Sequence, residues 1–202
     1  MEENNIIKTI GRRIKYIKDT SRVTFILIII NVIMYIITAI LSQNILDSDI
    51  RVLLFLGANE NTLVSNGEYY RLFTCMFLHG GLIHLLANMY ALGAIGPIVE
   101  RIYGKVKYII IYLVGGIISS IASHFFLRGV SIGASGAIFA LLGVMLIITI
   151  ERKDIVGNGV IKDIVFIIVI NIFIGLSSND IDNFAHLGGL LGGVILANIL
   201  RE

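Results

Sequence analysis

Charge is scarce in this chain: 15% of its 202 residues are charged, against roughly 25% in an ordinary soluble domain. The hydrophobic share is 56% and the mean hydropathy +0.90, so a water-soluble fold of this size cannot hide its apolar surface. There is one proline and no tryptophan, while the 21 glycines suit helices that pack backbone to backbone, as small residues allow in lipid. The single cysteine, Cys75, excludes an intrachain disulfide and reads as a small buried hydrophobe without a role. No Cys/His cluster has metal-ligand spacing, no glycine-rich phosphate loop occurs, and no basic surface suggests nucleic acid. No cofactor, metal or nucleic-acid partner is therefore expected. A secretory signal is not expected either, because the basic stretch from Lys8 to Arg22 leads into an apolar run too long for one.

That run, Val23 to Ser42, has the ~20 apolar residues needed to cross a hydrocarbon core of about 30 Å. Further spans are expected at 84–101, 106–126, 135–150, 160–176 and 186–200. The expected architecture is an all-α, six-span bundle over 23–202, preceded by a short basic tail over 1–22. No strand alternation or repeat is visible, and the connection from Gln43 to Leu72 is long enough to hold structure of its own. With the N-terminus inside, the inner segments carry Lys8, Arg12, Arg13, Lys15, Lys18, Arg22, Arg101, Lys105, Lys107, Arg152, Lys153, Lys162 and Arg201, leaving Arg51, Arg71 and Arg128 outside. The excess of inner positive charge predicts that both termini face the cytoplasm.

Polar side chains within a span are expensive and call for a functional reading. The principal ones are His84, Asn88, Ser135 and His186. Counting back from the inner charges at about 1.5 Å per residue places Ser135 ~24 Å above Glu151, His186 ~22 Å above Arg201 and His84 ~25 Å above Arg101. Three helices thus bring polar groups to one level, several ångströms below the outer edge of the core. A serine hydroxyl is a weak nucleophile that a neutral imidazole can activate, so Ser135 is the expected nucleophile and His186 its base. Ser135 opens its span in GASGAIFALLG, where free backbone N–H groups favour a developing oxyanion. His84 and Asn88, at i and i+4, share a helix face and can aim at the same oxygen, with the Ser135 N–H as a further donor. The HLGGLLGG run supplies Gly188, Gly189, Gly192 and Gly193 for close approach to Gly136, Ala140 and Gly143.

In these segments the chain resembles the rhomboid family of intramembrane serine proteases. GEYYRLFTCMFLHGGLIHLLANMYALG is similar to the family's aromatic-Arg loop and His-xxx-Asn helix, GASG to its Gly-x-Ser-Gly, and AHLGGLLGG to its final helix. Glu100 and Gly104 match a Glu-xxx-Gly pair. Tyr70 stands where the family often has tryptophan, and Phe139 where it commonly has a tyrosine stacked on the catalytic histidine. The resemblance implies a Ser135–His186 dyad, single-span membrane proteins as substrates, and a multi-pass protein of the bacterial cell membrane with the lipid bilayer as its surroundings. It leaves the oligomeric state unknown.

Several other groups have plainer readings. His79 is expected to bond the outer loop or hold water, Glu100 to receive loop hydrogen bonds, Tyr70 and Arg71 to form an interfacial anchor, and Asp182 to lie solvated in an outer loop. Asn171 has no assigned role. A catalytically silent rhomboid-like client binder and a small transporter are the rival classes. The pairing of Ser135 with His186 argues against the first, and the lack of a repeat or a charged helix against the second.

Overall fold

The computed structural model describes residues 11, 12, 14–127, 129–176 and 181–200, without the side chains at 153–161, 172, 174 and 176. Lys8, Arg13, Arg128 and Arg201 lie outside the described residues. The fold is mostly helical. Helix α1 (Arg22–Ser42) is followed by a structured connection holding α2 (Ile50–Phe55), β1 (Asn59–Glu60), α3 (Asn61–Ser65), α4 (Arg71–Thr74) and a 3-10 turn (Cys75–Phe77). Then come α5 (Leu82–Phe126), β2 (Val130–Ser131), α6 (Ser135–Glu151), α7 (Lys153–Leu176) and α8 (Asn183–Ile199).

The burial pattern of α1 is the inverse of a soluble helix. Thr24, Leu27, Asn31, Tyr35 and Thr38 form the buried stripe at helical spacing, whereas Ile26, Ile33, Ile36 and Ile40 are 50 to 69% exposed. Such a face is stable only against an apolar medium. Among the described residues, α1 and α5 are long and apolar enough to cross a membrane, and α6 and α8 are shorter apolar helices.

Helix α5 runs for 45 residues but is broken at Gly104, whose φ of 72° and ψ of 169° are not helical. A side chain there would be strained by the positive φ. The result is two arms, 82–103 and 105–126, where the sequence places two separate spans. Helix α7 begins at Lys153, seven residues before the expected start at 160, and α8 begins three residues before His186. The all-helical expectation needs one correction. Asn59 pairs with Ser131 and Glu60 with Val130 in an antiparallel ladder, and two residues per strand are too few to show a period-two pattern.

The connection between α1 and α5 is held from within. Arg71 is buried, and its Nη1 donates to the carbonyls of Leu54 (2.7 Å) and Ala58 (3.0 Å), while its Nε donates to Glu68 (2.8 Å). The hydroxyl of Tyr70 also donates to Glu68, and that bond, followed by the Arg71 contact, holds the Glu68 carboxyl below its ordinary range. Tyr70 itself stays exposed. The expected interfacial anchor is therefore divided: Arg71 is a buried staple of the connection, and Tyr70 lies over it.

Glu100 receives hydrogen bonds from a helix rather than from a loop. The start of α1 has no side-chain cap from Ser21; instead the backbone N–H groups of Val23 (3.0 Å) and Thr24 (2.9 Å) and the Thr24 hydroxyl (2.8 Å) donate to the buried Glu100 carboxyl. This joins the first helix to α5 by satisfying N–H groups that a helix start leaves open. Glu100→Ala should lower stability by roughly 2 to 3 kcal/mol, because it leaves these donors without an acceptor. Glu100→Gln, which keeps one acceptor oxygen, should lose less. Thermal unfolding in detergent, followed by circular dichroism, gives the order; an Ala variant that melts with the wild type would show that α1 is held by apolar packing instead.

Candidate active site

Helices α5, α6 and α8 pack against one another, and nearly all of the first ten residues of α6 are buried. Its contact with α8 is made by backbone. A Cβ on Gly189 would overlap the carbonyl oxygen of Gly136, one on Gly193 would overlap the carbonyl of Ala140, and one on Gly143 would overlap the carbonyl of Leu190. Gly188 and Gly192 face the other way, toward Ala122 and Ile118 of α5. The four glycines of α8 thus divide between two neighbours, a division that the repeated spacing does not reveal.

At the top of this seam His186 Nε2 lies 3.0 Å from Ser135 Oγ. Ser135 is the first residue of α6, so its own N–H and those of Gly136 and Ala137 have no intrahelical acceptor. The His186 ring is fixed on one face by Phe139, stacked at 4.2 Å between centroids and 8° between planes. Phe139 lies one turn beyond Ser135 on α6, so one helix supplies both the hydroxyl and the ring support.

Ser135 and His186 line a cavity of about 860 Å³ together with His84 and Asn88 of α5. The loop before Ser135 approaches His84 closely: Gly133 has a φ of 118°, and a Cβ there would stand 2.8 Å from His84 Nε2. Only glycine fits both the backbone and the space. The loop is tied down by the Gly133 N–H, which donates to the carbonyl of Cys75 at 3.0 Å. Asn88 is buried, and its Nδ2 donates to the carbonyl of His84 at 2.9 Å. An amide nitrogen carries two hydrogens, so one remains for the cavity.

The sequence misses one contributor and misplaces another. Ser119, buried on α5, donates its hydroxyl to the carbonyl of Ala185 at 2.7 Å and so holds the first turn of α8, next to His186. A serine in a small-residue helix gives no sign of this. His79 is fully buried; its carbonyl accepts from Ser48 Oγ at 2.9 Å, but its ring packs edge-on against His84, 5.1 Å between centroids. Asp182 is not a solvated loop residue. It is the N-cap of α8, with Oδ1 accepting from the Ala185 N–H at 2.9 Å and Oδ2 buried without a partner among the described residues. Asn171 lines the cavity and turns its amide to the Ile167 carbonyl. Among the described residues no group of His, Cys, Asp and Glu is arranged to hold a metal ion.

The seam makes a graded prediction. Gly189→Val and Gly193→Val collide with backbone, which cannot move aside, and should lower labelling of Ser135 by a phosphonate probe on the order of a hundredfold, since ~1 Å shifts of reacting groups have effects of that size. Gly192→Val meets only the side chain of Ile118 and should be the mildest. Labelling rates and melting temperatures of the three variants decide; equal effects at Gly189 and Gly192 would contradict this division of the contacts.

Comparison with known proteins agrees with the resemblance seen in the sequence. A family model described as Rhomboid domain matches residues 66–202. The chain is 38% identical over 177 residues to rhomboid protease GluP of Bacillus subtilis (strain 168), covering 88% of this chain and 34% of that protein. It is 37% identical over 139 residues to the putative rhomboid protease YdcA of the same organism, covering 68% of this chain and 70% of that protein. It is also 42% identical over 137 residues to RHOMBOID-like protein 1 of Arabidopsis thaliana, covering 66% of this chain and 35% of that protein. The chain thus spans about a third of the length of GluP and of RHOMBOID-like protein 1.

Proposed function

The chain belongs to the rhomboid family, and from that premise we propose that it is an intramembrane serine endopeptidase. The observation that carries this reading is the 3.0 Å contact between Ser135 Oγ and His186 Nε2, opening onto a cavity within a largely apolar bundle. A packing serine and a packing histidine have no reason to meet at a helix start beside free N–H donors.

In the proposed reaction the Ser135 hydroxyl oxygen attacks a peptide carbonyl carbon as its proton passes to His186 Nε2. The carbonyl oxygen, now negative, is held by the Ser135 N–H, the Asn88 amide and the His84 imidazole. Collapse of the tetrahedral species breaks the C–N bond, and His186 returns the proton to the leaving amine. Water then attacks the acyl ester by the same route, which releases the acid and restores Ser135. The substrates are single-span membrane proteins cut near the outer face. Their helices must unwind locally, because a peptide bond in a helix is shielded by its own hydrogen bonds.

The supporting frame is six spans, taken as α1, the two arms of α5, α6, α7 and α8, with both termini in the cytoplasm of a bacterial cell. The basic residues support that orientation. Arg101, Lys105 and Lys107 cluster about the break in α5, at the opposite end of its first arm from His84.

Removing the nucleophile or its base should separate this reading from that of a silent client binder. Ser135→Ala should lose both phosphonate labelling and cleavage of a single-span substrate in lipid vesicles, and His186→Ala should be nearly as damaging. Cleavage retained by Ser135→Ala would remove the assignment. Asn88→Ala and His84→Ala should lower kcat roughly ten- to a thousandfold with KM little changed, since oxyanion donors act on developing charge. A change that raised KM alone would reassign that residue to substrate binding.

A further inference from the structure

Among the described residues, two buried polar atoms at the start of α8 lack partners: Oδ2 of its N-cap Asp182 and Nδ1 of His186, one turn on. Resting on the dyad reading above, we propose that Asp182 is a positioning residue for His186, its Oδ2 accepting the Nδ1 hydrogen through one bridging water. A base whose Nε2 accepts from Ser135 must carry its hydrogen on Nδ1. That buried N–H needs an acceptor, and Phe139, stacked flat on the ring, offers none.

Capping does not account for Asp182 as a whole. Only Oδ1 serves the cap, by accepting from Ala185 N–H, and asparagine or serine would cap a helix equally well. The carboxyl's second oxygen is the unexplained part. Side chains at i and i+4 lie on one helix face, about 5 to 6 Å apart at Cβ, and both Asp182 and His186 line the same cavity. The two atoms do not bond each other directly, and a cavity with polar groups on both sides suits one bridging water.

Other groups around the cavity are less well placed for this task. Asn171 of α7 turns its amide to its own helix, Asn88 of α5 likewise, and Asp47 lies beside Gly81 in the segment paired ahead of α5. The titratable neighbours of the ring are then His84 on α5 and Asp182 at the N-cap of α8. As the proton moves from Ser135 Oγ to His186 Nε2, the Nδ1 hydrogen stays on the ring, and the carboxylate opposes the new positive charge.

The test is the rate of phosphonate labelling of Ser135 as a function of pH, for the full chain in detergent, beside thermal unfolding. Asp182→Asn and Asp182→Ser both keep an N-cap and remove the charge. Both should melt near the wild type, label about tenfold more slowly at the plateau, and shift the acid limb of the profile to lower pH. The direction follows from charge: a carboxylate beside the ring favours the imidazolium, so without it the base is freed of its proton at lower pH. A loss of capping alone would lower the melting temperature and leave that limb in place. Wild-type labelling across the profile in both variants, or slowed labelling with an unmoved limb, would overturn the proposal for Asp182. Wild-type labelling in Ser135→Ala or His186→Ala would instead overturn the dyad reading beneath it.

Discussion

The contact between α6 and α8 is the constraint on which the site depends. A hydroxyl and an imidazole on separate helices reach 3.0 Å only if the helix axes come closer than ordinary side chains permit. Here backbone meets backbone, with Gly189 on the carbonyl of Gly136 and Gly193 on that of Ala140. In lipid this is where association energy is available, since apolar side chains gain little by leaving one apolar medium for another. The second ring of support faces α5, where Gly188 approaches Ala122 and Ser119 grips the Ala185 carbonyl. The helix that carries His186 is thus held from both sides, which is what a reaction dependent on near-attack geometry requires.

The outer part of the molecule serves the same end by different means. Arg71 ties the connection after α1 into a unit, and the short Cys75–Phe77 turn of that unit carries the carbonyl that receives the Gly133 N–H. Gly133 in turn lies against His84. The connection therefore reaches the loop that lies against His84 through one backbone hydrogen bond. At the other end of α1, Glu100 joins the helix start to α5.

Much of this was legible because membrane proteins punish misplaced polarity. Ser135, His186, His84 and Asn88 are conspicuous against their apolar neighbours; counting along each helix puts the first three at one level, and Asn88 shares a face with His84. Their gathering around one cavity required no more than that level and the glycines. What the sequence conceals is direction. The spacing of Gly188, Gly189, Gly192 and Gly193 is the same whichever helix each one meets. The two-residue strands are too short to carry a pattern, and the break at Gly104 depends on a φ of 72° that many glycines never adopt. Asp182 misleads for a related reason. A carboxylate ahead of an apolar run reads as solvated, and only the fold shows one oxygen on the helix cap and the other turned inward.

Covalent catalysis by Ser135 is the central proposal, and an acyl-enzyme is its most direct signature. The measurement is mass spectrometry of the protein, acid-quenched during turnover of a single-span substrate in lipid vesicles and then digested. The peptide containing Ser135 should carry the mass of the substrate's N-terminal fragment, less water, and the adduct should disappear as substrate is exhausted. Steady cleavage with no adduct on that peptide, or with the adduct on another residue, would contradict the account.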